Sequence, residues 1–338
     1  MSGKGNRMDN AYYALLALLA YLVPWTDASV GDQSYVYQQC ISACLSTECN
    51  VAVPNATASG VYRPPALALY ERAVVWNCED ECKYCCTWWA VEAFHKDGLP
   101  VPQFYGKWPQ VRIFGIQEPA SALFSLLNLF AQWHTLNSFC EETSFRAPMS
   151  FTWVFFSLVG INAWFWSTVF HTYDTNFTER MDYLSAFGYV VALLFVLTMR
   201  ILYKQSTLIK VVAASFVFTG FVSHAYRLLF TRFGYAENIQ INAFVGSMTI
   251  FGWLLLPRLA FDRLQQVYAR YIQLAVTLIG CASALEIFDF PAIFWLFDAH
   301  SLWHGSTIGI HYLIVKFAIR DCKYISSRQL ALPKTRIL

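Results

Sequence analysis

The chain has 338 residues, of which 57% are hydrophobic and only 14% charged, and its mean hydropathy is +0.38. A soluble domain carries about 25% charged residues, so the composition excludes an ordinary soluble protein and points to a membrane protein. The formal net charge of +2 gives no footing for nucleic acid, and none is expected as a partner.

Lys4 and Arg7 precede an apolar run from Ala11 to Val23, and Thr26-Asp27-Ala28 offers small residues where a signal peptidase reads. Residues 1–28 therefore read as a secretory signal peptide, because the apolar stretch is too short to span a bilayer comfortably. The alternative is an uncleaved anchor helix. Residues 29–115 follow as a first folded unit with seven of the ten cysteines, in two clusters: Cys40, Cys44 and Cys49, then Cys78, Cys82, Cys85 and Cys86. After a signal peptide the compartment is oxidising, which favours disulfides. A zinc site is the other reading, but the unit's one histidine, His95, lies nine residues past Cys86. Three bridges are expected among Cys40, Cys44, Cys49, Cys78, Cys82 and Cys86, with the pairing open. Cys85 stays outside them, since adjacent cysteines rarely bond each other without strain. Asn55-Ala56-Thr57 is a glycosylation sequon that suits a lumenal loop. Asn176 stands in a second sequon, too close to the membrane to be used well.

From residue 116 to 322 apolar runs recur. They predict an all-α bundle of seven transmembrane helices at about 119–140, 148–172, 183–203, 208–230, 239–257, 268–288 and 301–320, each near the roughly 20 residues a bilayer needs. A signal peptide places residue 29 in the lumen. The segments then expected in the cytosol hold thirteen Lys and Arg, and the lumenal loops between helices hold three, Arg180, Arg227 and Arg232. The positive-inside rule agrees with that orientation. Residues 323–338 read as a short cytosolic tail without structure.

This topology collects chemistry at one end. Ser167 and His171 are four apart near the lumenal end of the second helix, so they share a face. Asp182 is expected to open the third helix, and His300 and His304, also four apart, open the seventh. A catalytic zinc needs three protein ligands and one open position, and His171, His300 and His304 supply them. Asp182 would move the proton of the attacking water or orient a ligand histidine, and Ser167 would donate to the oxyanion. The blander readings are a carboxylate favoured by a helix N-terminus and a small packing residue. Asp174 and Asp298 flank the cluster. His95, His134, His224 and His311 read as satisfied polar contacts.

The segments VPQFYGKWP (101–109), QEPAS (117–121), NAWFWSTVFHTYDT (162–175), TERMDY (178–183) and DAHSLWH (298–304), with the two cysteine clusters, resemble the post-GPI-attachment-to-proteins factor 3 family. That family looks related to the wider CREST group of membrane hydrolases. The resemblance implies a GPI-specific phospholipase A2 of the endoplasmic reticulum membrane, or of the Golgi, with its N-terminal side lumenal. Its substrate would be protein-attached GPI anchors, from which it removes the unsaturated sn-2 chain. The implied site is Ser167 and Asp182 as catalytic residues with Zn2+ on His171, His300 and His304. Tyr173 and Tyr105 stand where relatives carry Arg and His, and Cys85 is additional to the usual six cysteines. The competing readings are a ceramidase or other lipid amidase or esterase of the same group, a handling protein for GPI-anchored chains, and a seven-helix receptor without catalysis.

Overall fold

The computed structural model of the chain describes residues 29–49, 76–231 and 235–331. The signal-peptide segment and the Asn55 sequon lie outside them. The described residues fold into α-helices joined by short loops: α1 (Val30–Gln33), α2 (Tyr35–Cys44), α3 (Cys78–Lys96), α4 (Pro119–Glu142), α5 (Ser150–Thr172), α6 (Asn176–Ile201), α7 (Thr207–Phe230), α8 (Tyr235–Ala260), α9 (Arg263–Phe288), α10 (Ala299–Thr307) and α11 (Ile310–Ala331).

The small N-terminal unit is a disulfide ladder. Cysteines recur at near-helical spacing on α2, on the π-helical turn Leu45–Cys49 that extends it, and on α3, so each side offers one face of sulfur. Laid antiparallel, the helices join as Cys40–Cys86, Cys44–Cys82 and Cys49–Cys78. Cys85 takes no part in these three bridges. A small core of Tyr37, Ile41, Trp88, Val91 and Phe104 fills the remaining space, as a unit this small needs staples beyond its own core. Helix α3 stops where Gly98 takes φ +69°, with Gly98 N–H donating to His95 O and Leu99 N–H to Phe94 O. This double bond is a Schellman end, which only a residue at ease in the left-handed region closes cheaply.

Residues 97–118 lead from this unit to the bundle and stay attached to both. Trp76 donates from Nε1 to Gly115 O and meets Tyr173 edge-on at 4.5 Å. Arg112 lies between the rings of Trp76 and Tyr84 and pairs with Glu81 at 2.7 Å. Trp295, in the loop before α10, packs edge-on against Trp88 and accepts a backbone bond from Val111.

The bundle places α4, α5 and α6 in sequence, with α8, α9, α10 and α11 closing it against α6 and α4. Its main hydrophobic cluster fills the end away from the cysteine-rich unit, around Trp153, Trp253, Val196, Ile272 and Phe317. The outer surface is apolar, with Phe151, Phe216 and Leu259 each at least 80% exposed, as expected where lipid replaces water. Five helices are long and apolar enough to cross a membrane: Ser150–Thr172, Asn176–Ile201, Thr207–Phe230, Glu237–Ala260 and Arg263–Glu286.

Three local expectations are corrected. Asp182 does not open its helix: α6 begins at Asn176, six residues earlier. Thr175 caps it, accepting from Thr178 N–H, while the Thr178 side chain answers the Thr175 N–H. The polar start Asn176-Phe177-Thr178-Glu179-Arg180 hides this turn from any reading of hydropathy. The seventh helical segment is two helices, broken at 308–309. Finally, the tail is helical as far as Ala331, with Gln329 Nε2 donating to Tyr203 Oη.

Candidate metal-centred active site

Near the cysteine-rich unit the bundle buries polar residues instead of apolar ones. Helix α5 carries Ser167 and His171 on one inward face, both buried. Helix α10 carries His300 and His304 one turn apart, and Asp298 caps it by accepting from Ser301 N–H at 2.8 Å. The ligand atoms of His171, His300 and His304 all lie within 4.8 Å of one another. His304 Nε2 is 3.2 Å from His171 Nε2 and 3.0 Å from His300 Nε2.

Two carboxylates absent from the sequence reading set the tautomers. His171 donates its Nδ1–H to Glu118 Oε2 at 2.8 Å, and His300 donates its own to Glu286 Oε1 at 2.6 Å. An ionised carboxylate only accepts, so each ring in its neutral form turns a bare Nε2 lone pair inward. Lone pairs that meet at 3.0–3.2 Å repel unless a proton or a cation stands between them, and His304 has one N–H for two neighbours. A tetrahedral zinc with Zn–N bonds of about 2.0–2.1 Å separates its ligands by roughly 3.4 Å. The donor set therefore fits a metal ion held by His171, His300 and His304. Carboxylate–histidine pairs of this kind orient metal ligands elsewhere.

Asp182 is buried on α6, with His171 and His300 among its electrostatic neighbours. Among the described residues no donor bonds its carboxylate, whereas Glu118 and Glu286 bond His171 and His300. Ser167 Oγ lies 3.0 Å from Ser125 Oγ of α4. Lys107 Nζ bridges Glu118 Oε1 at 2.6 Å and Asp174 Oδ2 at 2.8 Å, and sits 4.2 Å over the Phe170 ring. Burial opposes the charge on Glu118, but Lys107 and then His171 outweigh it and hold the carboxyl well below its usual range.

Below the histidines a buried polar chain supports the break between α10 and α11. The break frees the His304 carbonyl, which accepts from Asn128 Nδ2 at 2.8 Å. Asn128 Oδ1 accepts in turn from His311 Nε2–H at 2.8 Å. A backbone group freed inside a bundle needs such a partner. The other histidines lie away from the cluster: His95 against Trp295, His134 against Tyr312, and His224 on Asn238 Oδ1.

Access is one-sided. His171 and His304 are buried, whereas the His300 and Glu286 side chains remain 38% and 33% exposed. The cluster thus opens beside α9 and α10. Glu286 carried a signal that sequence reading passed over: it is the lone acid in the apolar stretch from Ala269 to Phe288, and an ionisable residue within a span is functional by default.

The model of the Per1-like family matches residues 68–322. The chain is 37% identical over 311 residues to the Danio rerio protein named GPI-specific phospholipase A2-like PGAP3, covering 92% of this chain and 96% of that one. It is 36% identical to the Drosophila melanogaster protein named Post-GPI attachment to proteins factor 3, covering 87% and 90%. It is also 36% identical to the Homo sapiens GPI-specific phospholipase A2-like PGAP3, covering 92% and 95%. No solved structure matches the chain. The chain belongs to the Per1-like family.

Proposed function

We propose that this member of the Per1-like family is a zinc-dependent, membrane-embedded hydrolase that remodels GPI lipids, releasing the sn-2 acyl chain of protein-attached GPI anchors as a phospholipase A2. The names of its relatives support GPI lipids and GPI-anchored proteins as the substrate class. The observation that carries the chemistry is the convergence of three imidazole nitrogens beside a buried carboxylate with no donor of its own.

The residues divide the work as follows. His171, His300 and His304 hold the metal, with Glu118 and Glu286 fixing two of the rings. Zinc bound there supplies an acidified water and polarises the ester carbonyl. Asp182 takes the proton of the attacking water and returns it to the glycerol oxygen as the acyl–oxygen bond breaks, giving a free fatty acid and a lysolipid. Ser167 donates to the carbonyl oxygen as negative charge develops on it, with its hydroxyl ordered by Ser125. The substrate enters from the bilayer beside α9 and α10, where His300 and Glu286 are exposed.

We further propose that α4 and the broken α10–α11 pair also span the membrane, giving seven crossings. Helix α4 falls short in hydropathy because Asn128, Gln132 and Thr135 face inward on it; α10 has only nine residues, and α11 carries Lys316, Arg320, Asp321 and Lys323. Residues 29–115 then form a lumenal disulfide-bonded domain, residues 116–322 the hydrolase bundle, and the C-terminal end is cytosolic. The endoplasmic reticulum is the expected membrane. Purified protein given a GPI lipid should release fatty acid in proportion to its zinc content. Release at full rate from metal-free protein overturns the zinc reading. Release from ceramide instead of the GPI lipid overturns the substrate.

A further inference from the structure

The loop between the cysteine-rich unit and α4 touches every element that brings a metal ligand. At its start Phe104 and Lys107 exchange backbone bonds of 2.8 and 3.0 Å, with Tyr105 at φ +51° and Gly106 at φ +77° between them. Two successive left-handed residues make a tight hairpin turn that favours Gly at the second position. The turn is seated on the cysteine-rich unit: Phe104 belongs to its core, and Tyr37 Oη bonds Tyr105 Oη at 3.1 Å.

From this turn Lys107 reaches Glu118 and Asp174, and Glu118 holds His171 of α5. Three residues later Gln110 Nε2 donates to Asp298 Oδ2 at 2.9 Å, while Asp298 Oδ1 caps the helix carrying His300 and His304. One short stretch therefore contributes a polar contact to the support of each ligand-bearing helix. Lys107 also sets its ammonium 2.6 Å from the buried Glu118 carboxylate. Lys107 holds Glu118 by its Oε1 while Oε2 holds His171, so without the ammonium the carboxylate loses the contact that fixes its place against the ring.

We propose that Lys107 and Gln110 are positioning residues for the metal site, and that the cysteine-rich unit acts through them as the strut that sets the three histidines. This deepens the metal reading above and rests on it. The hairpin and the disulfide ladder thereby gain a role beyond covering the bundle: they hold the ligands at binding distance before any metal arrives.

The test uses the full chain in detergent, with zinc as the probe and a graded chelator as competitor. Lys107→Met should weaken zinc binding about 10–100-fold, the range for loss of an outer support. Excess zinc should restore its activity, because Lys107 touches no reacting atom. Lys107→Arg should recover most of the affinity, since a guanidinium can bridge the same two carboxylates. Gln110→Leu should weaken binding less, because Asp298 keeps its bond to Ser301. If Lys107→Met does not fold, the double variant Lys107→Met/Glu118→Gln removes both charges and should bind zinc as weakly. Wild-type zinc affinity in a folded Lys107→Met protein, or in the double variant, overturns the proposal. Wild-type protein that binds no zinc at all overturns the metal reading itself, a distinguishable failure.

Discussion

The two ends of the bundle treat buried charge in opposite ways. Away from the cysteine-rich unit, Trp153, Trp253 and Phe317 pack edge-on and stacked within a continuous apolar cluster. The buried charges there are closed on themselves. Arg200 grips Asp321 through two bonds of 2.6 and 2.9 Å, and Tyr268 Oη donates to Asp321 Oδ1 at 2.9 Å. Near the cysteine-rich unit Lys107 closes on Glu118 and Asp174, but the groups at the centre of the cluster are left open. Three imidazoles point at one another, Asp182 has no donor among the described residues, and His300 and Glu286 meet the exterior. A satisfied ion pair holds helices together; an unsatisfied set at the same depth costs stability and persists only if something binds there.

The largest effect that tests this contrast is loss of a ligand. Alanine at His171, His300 or His304 should remove zinc and activity together, since two protein contacts hold a single zinc poorly. Metal analysis showing equal zinc in all three variants and the wild type would erase the difference between the two ends. Asp182→Asn should keep the zinc and lower fatty-acid release roughly 10²–10⁴-fold. Zinc loss in that variant would move Asp182 into the ligand set or its support. Ser167→Ala should also keep the metal, with release down about 10²–10³-fold if its hydroxyl meets the developing oxyanion.

At the closed end, Asp321→Asn should lower stability without touching the site. Breaking one partner of a buried pair typically costs about 3–5 kcal/mol. Thermal unfolding should move while zinc stoichiometry in the folded fraction stays at the wild-type value; a parallel loss of zinc would mean that the two ends are coupled.

The smallest effect expected is on the pH dependence of stability. Glu118 is held below the ordinary glutamate value of 4.5, so its share of the stability is present above about pH 4.5 and is lost as pH falls through the lowered value. Lys107 is raised above 10.5, burial opposing the shift and Glu118 and Asp174 outweighing it. Its share is present below 10.5 and is lost only as pH rises through the higher value. The pair should therefore leave stability flat across neutral pH. Zinc retention should fall earlier on acidification, as the ligand histidines must be neutral to bind. Melting curves that dropped in step with zinc on acidification would tie the whole unit to the metal.

Much of this molecule is written locally, and that part was legible in the chain itself. Composition marked a membrane protein, and the clusters from Cys40 to Cys86 marked a disulfide unit. Residues four apart marked Ser167 with His171 and His300 with His304, because helical periodicity is a property of neighbours in sequence. Caps were legible too: Thr175 with Thr178 would have moved the start of α6 ahead of Asp182. What only the tertiary structure decided is which distant groups complete each other. His171 meets Glu118 across 53 residues, Asn128 meets the His304 carbonyl across 176, and Gln110 meets Asp298 across 188. The order of the disulfide ladder and the break at 308–309 belong to the same class. The reason is physical. A helix's period fixes the face on which a side chain lies, but a hydrogen bond between helices depends on their relative depth and rotation, which the packing of the whole bundle sets.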